Sequence, residues 1–228
     1  MKEHPILFST PMVQAILEGR KTQTRRIVKK NIPENVTTID RYNKTGQFTL
    51  WENRKIVSQI GESPYGQPGD ILWVRETFKA ELVDVTGKAV SYYYLADNPA
   101  AKSTSNKFKP SIHMPKAAAR IWLEIIEVKV EKLESISDED ARAEGIHYVV
   151  DKITGFCGFD YLNGGYNLMT RPWNSFMSLW RKVHDIERYK PTGNPWVWVV
   201  KFKVLSTTGI PSFDYAQDDK GGQDDSNQ

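Results

Sequence analysis

The sequence predicts an α+β fold, and three observations carry that prediction. Short apolar segments with strand character recur at Ile71–Arg75, Arg120–Val130 and Trp196–Val204. Helix signals stand after Ser9, after Ser137 and after Thr170. A hydrophobic content of 39% over 228 residues is enough for a real core.

Composition narrows the function classes. The longest apolar runs, such as Trp196–Val200, are far short of a membrane span, and Met1-Lys2-Glu3-His4 leads into no signal-peptide core, so the chain reads as cytoplasmic. One cysteine, Cys157, excludes an internal disulfide and a Cys-rich zinc site, and the four His residues stand far apart. No metal and no cofactor are implied. The formal charge of +3 hides an asymmetry: residues 206–228 hold five Asp and one Lys, which leaves +7 on residues 1–205. A basic body with seven Trp, ten Tyr and nine Phe suits a nucleic-acid or nucleotide partner, although many of those rings belong to a core.

Taken in order, Pro5–Phe8 is fit for a first strand. Ser9-Thr10-Pro11 then offers an N-cap and a first-turn proline to a helix whose stripe is Met12, Ala15 and Ile16. Gly19 is a natural left-handed end for it, and Thr22–Val28 reads as strand. Residues 29–68 are expected to be a surface insertion, with Gln47–Trp51 and Lys55–Val57 pairing as a hairpin around Asn53-Arg54. Pro68-Gly69-Asp70 turns into the apolar strand Ile71–Arg75, on which Trp73 and Arg75 share a face, with Arg75 at its rim. Residues 79–116 are a second excursion, a lid or surface hairpin, whose Tyr92-Tyr93-Tyr94 run is better suited to packing than to base stacking.

In Arg120–Val130, alternation puts Trp122, Glu124, Ile126, Val128 and Val130 on one face, so a carboxylate interrupts an apolar row. Burying it unpaired would cost several kcal/mol, which requires either a raised pKa or a cation beside it. Glu127, Lys129 and Glu131 look like a solvated edge. Ser137 caps a short, structural helix with acidic first-turn residues that Gly145 ends. Thr170-Arg171-Pro172 opens a further helix with the stripe Phe176, Met177, Trp180 and Val183. Trp196–Val204 closes the fold, and residues 206–228 are expected to form a disordered acidic tail.

The densest polar stretch is Gly19-Arg20-Lys21-Thr22-Gln23-Thr24-Arg25-Arg26, where a helix stops and side chains able to handle a polar or anionic ligand follow at once. Together with Gly69-Asp70 before an apolar strand, Glu124, the helix start Ser137–Ala141 and the closing Trp198-Val199-Val200-Lys201-Phe202, it resembles the ASCH domain of the PUA-like superfamily. The likeness covers less than half of the chain, and the longer layout is similar to ASCH proteins carried by phages and prophages.

The resemblance implies a β-barrel with flanking helices, residues 1–205 forming one domain with inserted hairpins, and a cleft for RNA or a modified nucleoside. One branch of that family hydrolyses the acetyl amide of acetylcytidine with a Lys, a Thr and a Glu, which fall here on Lys21, Thr24 and Glu124. Arg20, Arg25, Arg26, Trp73 and Arg75 are the candidates for substrate binding. A non-catalytic RNA-binding module and an endoribonuclease remain as alternatives. The chemistry is coherent: a desolvated Lys takes the proton of a weakly nucleophilic Thr hydroxyl, and the carboxylate orients the Lys. It also carries a geometric condition. Residues 21 and 24 differ by an odd number, so Lys21 must sit in the turn or at a bulge to share a site with Thr24.

Overall fold

A central sheet organises the computed structural model, which describes residues 1–42, 47–83, 85–86, 89–103, 108–150, 155, 157–161, 168–183 and 194–211. In chain order the elements are β1 (Glu3–Leu7), α1 (Thr10–Leu17), β2 (Gln23–Ile27), β3 (Thr38–Tyr42), β4 (Gln47–Glu52), β5 (Lys55–Gly61), β6 (Ile71–Arg75), β7 (Phe78–Val83) and β8 (Ala89–Tyr94). They continue with β9 (Trp122–Lys132), α2 (Asp138–Ala143), β10 (His147–Val150), β11 (Cys157–Asp160), α3 (Pro172–Val183) and β12 (Trp196–Ser206). This is a mixed α+β protein, mostly sheet.

The central sheet has the order β1-β6-β9-β12-β2, with β1 parallel to β6 and the other pairs antiparallel. Among the described residues no ladder joins its edges β1 and β2, so the sheet is not a barrel closed through its backbone. A side chain bridges them instead: Arg26 Nη2 on β2 donates to the Leu7 carbonyl on β1 at 2.8 Å.

One face of the sheet packs Leu72, Val74, Leu123, Ile125, Val128, Trp198, Val200 and Phe202 against α1 and the β3–β5 sheet. On the other face, Val197 and Val199 meet α2 and α3, while Ile71 and Trp122 meet the β7–β8 hairpin. The segment expected to be a surface insertion is therefore part of the main core. Ile39, Phe48, Leu50 and Ile60 are buried, and the Phe48 ring stands edge-on to Trp198 at 4.8 Å. Phe48 and Leu50, two residues apart on β4, point to the same face, which is what a sheet covering another sheet requires.

A bulge overturns the expected alternation in β9. The ladder with β12 shifts register between Lys201 and Phe202, where Lys201 faces Glu127 and Phe202 faces Ile125, and Ile126 is left out and half-exposed. One extra residue switches the parity of everything beyond it. Leu123 and Ile125 thus share a core with Val128 and Val130, and Glu124 does not interrupt their row.

At the C-terminal end, β12 runs to Ser206 and the Gly209 amide donates to the Arg120 carbonyl at 3.0 Å, so the ordered chain extends past the expected start of the tail. Residues 212–228 lie outside the described part.

Candidate functional site

The exit of α1 places Lys21 outside the ladder of β2. Both Arg20 and Lys21 amides donate to the Ala15 carbonyl, at 2.8 and 2.9 Å, and Gly19 takes φ +72°, so the chain wraps around the helix end before Gln23 begins the strand. Lys21 makes an isolated antiparallel bridge with Glu144, and the Thr22 amide donates to the Ala143 carbonyl at 2.9 Å. The parity condition raised by the sequence is thus relieved by a turn.

Glu144 stands at the end of α2, immediately before Gly145, whose φ is +105°. A Cβ on Gly145 would lie 3.0 Å from the Ala15 Cβ and 3.5 Å from the Lys21 Cβ, so glycine lets the end of α2 close on the end of α1. That approach delivers the carboxylate. Lys21 Nζ donates to Glu144 Oε2 at 2.7 Å and to the Glu144 carbonyl at 2.9 Å, and both residues are buried.

Arg25 completes the network from the face of β2 that meets α2 and α3. Its guanidinium donates to Glu144 Oε1 at 3.1 Å, Glu131 Oε1 at 2.6 Å and Asp140 Oδ2 at 3.0 Å. Burial pushes the Lys21 ammonium below its ordinary pKa; the Glu144 carboxylate opposes that shift, and Arg26 and Arg25 add to it. Asp140 is held below the ordinary carboxylate range even though burial works against it, because Arg25 and Lys129 lie close.

Thr24 pairs with Val200 in the ladder and shares that residue's face. It is fully buried, and its Oγ1 has no hydrogen-bond partner among the described residues. An unpaired buried hydroxyl costs about 1–3 kcal/mol, so it is a feature to be explained.

Beside the pair lies a cleft of about 310 Å³ between α1 and α3. Pro11, Met12, Ala15, Leu179 and Val183 form its aliphatic walls, with Tyr161 as a ring, and Glu144 lines it. A smaller adjoining depression shares Met12, Glu144, Leu179 and Val183 and reaches Arg25 and Arg26. The expected apolar stripe of α3 therefore divides: Phe176, Met177 and Trp180 are core, whereas Val183 is 53% exposed and edges the cleft.

The other expected site residues lie elsewhere or are occupied. Glu124 forms a partly exposed pair with Lys203 at 2.8 Å. Its backbone lies roughly 10 Å down β9 and two strands away from Thr24, beyond hydrogen-bond reach. Burial within an apolar row, the premise for its role, does not hold, because the bulge at Ile126 removes it from that row. Arg20 donates to the Gly145 carbonyl at 2.6 Å and pairs with Glu18. Arg26 holds Leu7 and lies over the Phe8 ring at 5.3 Å. Trp73 belongs to the cluster under β7 and β8, and Arg75 packs 5.6 Å from its ring while donating to the Ile112 carbonyl, so neither lines the cleft.

Glu144, Asp140 and Glu131 are site residues that the sequence alone did not single out. A signal for Glu144 existed: a carboxylate in the last turn of a helix opposes the macrodipole and needs a cation to hold it. Among the described residues no group of three or more His, Cys, Asp or Glu is placed to hold a metal ion, and no helix is long and apolar enough to cross a membrane. No family model matches the chain, and neither do any curated protein or any solved structure.

Proposed function

We propose that the chain is an ASCH-type protein of the PUA-like superfamily that hydrolyses an amide on an acylated nucleoside, with Thr24 as nucleophile, Lys21 as its base and Glu144 as the carboxylate. The observation that carries this is the Lys21–Glu144 pair. A fully buried ammonium with a depressed pKa is bonded to a carboxylate that lines an apolar cleft, and an unpaired Thr hydroxyl is buried three residues along the chain.

In the reaction, neutral Lys21 takes the Thr24 proton as Oγ1 bonds to the amide carbon. The C–N bond then breaks, the leaving amine receives that proton, and water hydrolyses the acyl-threonine ester. The first step requires Lys21 Nζ to reach the Thr24 hydroxyl; in the structure Nζ donates to Glu144 and Thr24 Oγ1 has no hydrogen-bond partner among the described residues, so the two must approach one another for the step to occur.

The arginines speak against the same cleft as a phosphate reader. Arg25 is saturated by three carboxylates, and Arg20 pairs with Glu18 and donates to the Gly145 carbonyl. The test is turnover of acetylcytidine and a panel of acylated nucleosides by the wild type, Lys21→Ala, Thr24→Ala, Glu144→Gln and Glu124→Gln, with RNA binding measured on the same samples. The expected result is loss of at least about 100-fold in the first three variants and wild-type turnover in Glu124→Gln. A wild type that turns over none of the panel but binds RNA would replace this reading with the binding module.

A further inference from the structure

Either half of an acylated nucleoside could fill the cleft, and its lining decides between them. A nucleobase is held by stacking on rings and by partners for its polar edge. A ribose needs partners for its hydroxyls. The cleft walls are Pro11, Met12, Ala15, Leu179 and Val183, with one ring, Tyr161, and polar groups at Ser9, Lys182 and Glu144. Glu144 is already committed to Lys21 and Arg25. Base or sugar polar groups enclosed by these walls would lose water without finding partners, at a cost that an aliphatic chain does not carry.

Size points the same way. A cleft of about 310 Å³ has room for about ten waters, and an acetyl methyl group takes the place of one. An acetyl substrate would leave most of that apolar surface wet. A chain of several methylenes would bury it.

Resting on the amidohydrolase reading, the geometry points to an enzyme whose preferred substrate carries a medium-length aliphatic acyl group, of four to six carbons, seated between α1 and α3 with its carbonyl end toward the Lys21–Glu144 pair, where Thr24 must reach it. The nucleoside then lies at the mouth, outside the aliphatic walls. Met12 and Val183, from opposite sides of the cleft, set the length of chain that fits.

The experiment uses the full chain and three synthetic N4-acylcytidines, acetyl, butanoyl and hexanoyl, and reads kcat/KM for each. Each added methylene is expected to raise kcat/KM by up to about fourfold until the walls are covered, so hexanoyl exceeds acetyl by at least about tenfold. Val183→Trp fills the cleft from a half-exposed position at the end of α3, and Met12→Trp fills it from α1. Both are expected to lower the hexanoyl-to-acetyl ratio at least about fivefold. A wild type that hydrolyses acetylcytidine as well as or better than the hexanoyl compound overturns the inference while leaving the amidohydrolase reading intact. A preference for hexanoyl that neither tryptophan moves overturns the seating of the chain. No turnover of any of the three by folded protein removes both.

Discussion

Glu144 holds two cations, Lys21 and Arg25, whereas Arg25 keeps Glu131 and Asp140 even without Glu144. Removing the carboxylate strands a buried ammonium; removing the ammonium leaves the carboxylate paired. Glu144→Gln is therefore expected to cost about 3–5 kcal/mol in urea unfolding, and Lys21→Met clearly less. Equal costs would mean that the pair is held for stability. Thr24 tests the converse trade. Its unpaired hydroxyl is a burden on the fold, so the near-isosteric Thr24→Val should be neutral or stabilising by about 1 kcal/mol while turnover is lost. The depressed Lys21 pKa fixes a pH dependence as well. Between the folded value and the ordinary 10.5 the unfolded chain binds the extra proton, so stability rises with pH across that window, and Lys21→Met flattens the rise. Turnover needs neutral Lys21 and should climb with pH to a plateau whose midpoint lies below 10.5.

Among the elements, the β4–β5 hairpin is the one whose importance differs most from its sequence impression. Asn53 and Arg54 both take positive φ, 48° and 67°, as a two-residue turn demands, and Arg54 has a Cβ that this conformation penalises. Arg54→Gly should raise stability by about 1 kcal/mol, read as a shifted urea midpoint at unchanged slope, whereas Phe48→Ala should cost about 3–5 kcal/mol. A Phe48→Ala loss below about 1 kcal/mol would make the hairpin the surface excursion that its flanking loops suggested. The hairpin's turn and strands were legible because their signals are local. Its burial was not, because it depends on the partner Trp198, 150 residues away in the chain. The same division runs through the site. The end of α1 and the departure of Lys21 from strand geometry follow from Gly19 and from the helix before it. The identity of the carboxylate does not, since alternation along β9 favoured Glu124 and only the bulge at Ile126 removes it, while Glu144 sits on a helix whose sequence reads as structural.

At the scale of the molecule, the charge balance reads differently once the ion pairs are placed. A basic body suggested phosphate binding, yet many of its cations are answered at short range. Lys129, Lys201 and Lys203 pair with Glu131, Glu127 and Glu124 across the outer face of β9 and β12, Lys116 pairs with Glu3, and Arg120 with Glu76 and Asp97. Around the cleft, Arg20 and Arg25 are paired in the same way, which among the described residues leaves Arg26 and Lys182 as the cations lining it that no carboxylate pairs. Single-stranded RNA releases counterions in proportion to the phosphates neutralised, with a slope of about −0.7 per contact in log K against log salt. Two contacts give a slope no steeper than about −1.4. RNA titrations between 50 and 200 mM salt, run on the wild type and on Lys182→Ala, are therefore expected to show weak binding with a shallow slope that falls by about 0.7 in the variant. A slope of about −4 or steeper would require a set of free cations that the paired surface does not offer at this cleft, and would shift the weight of argument from amide hydrolysis to RNA binding elsewhere on the molecule.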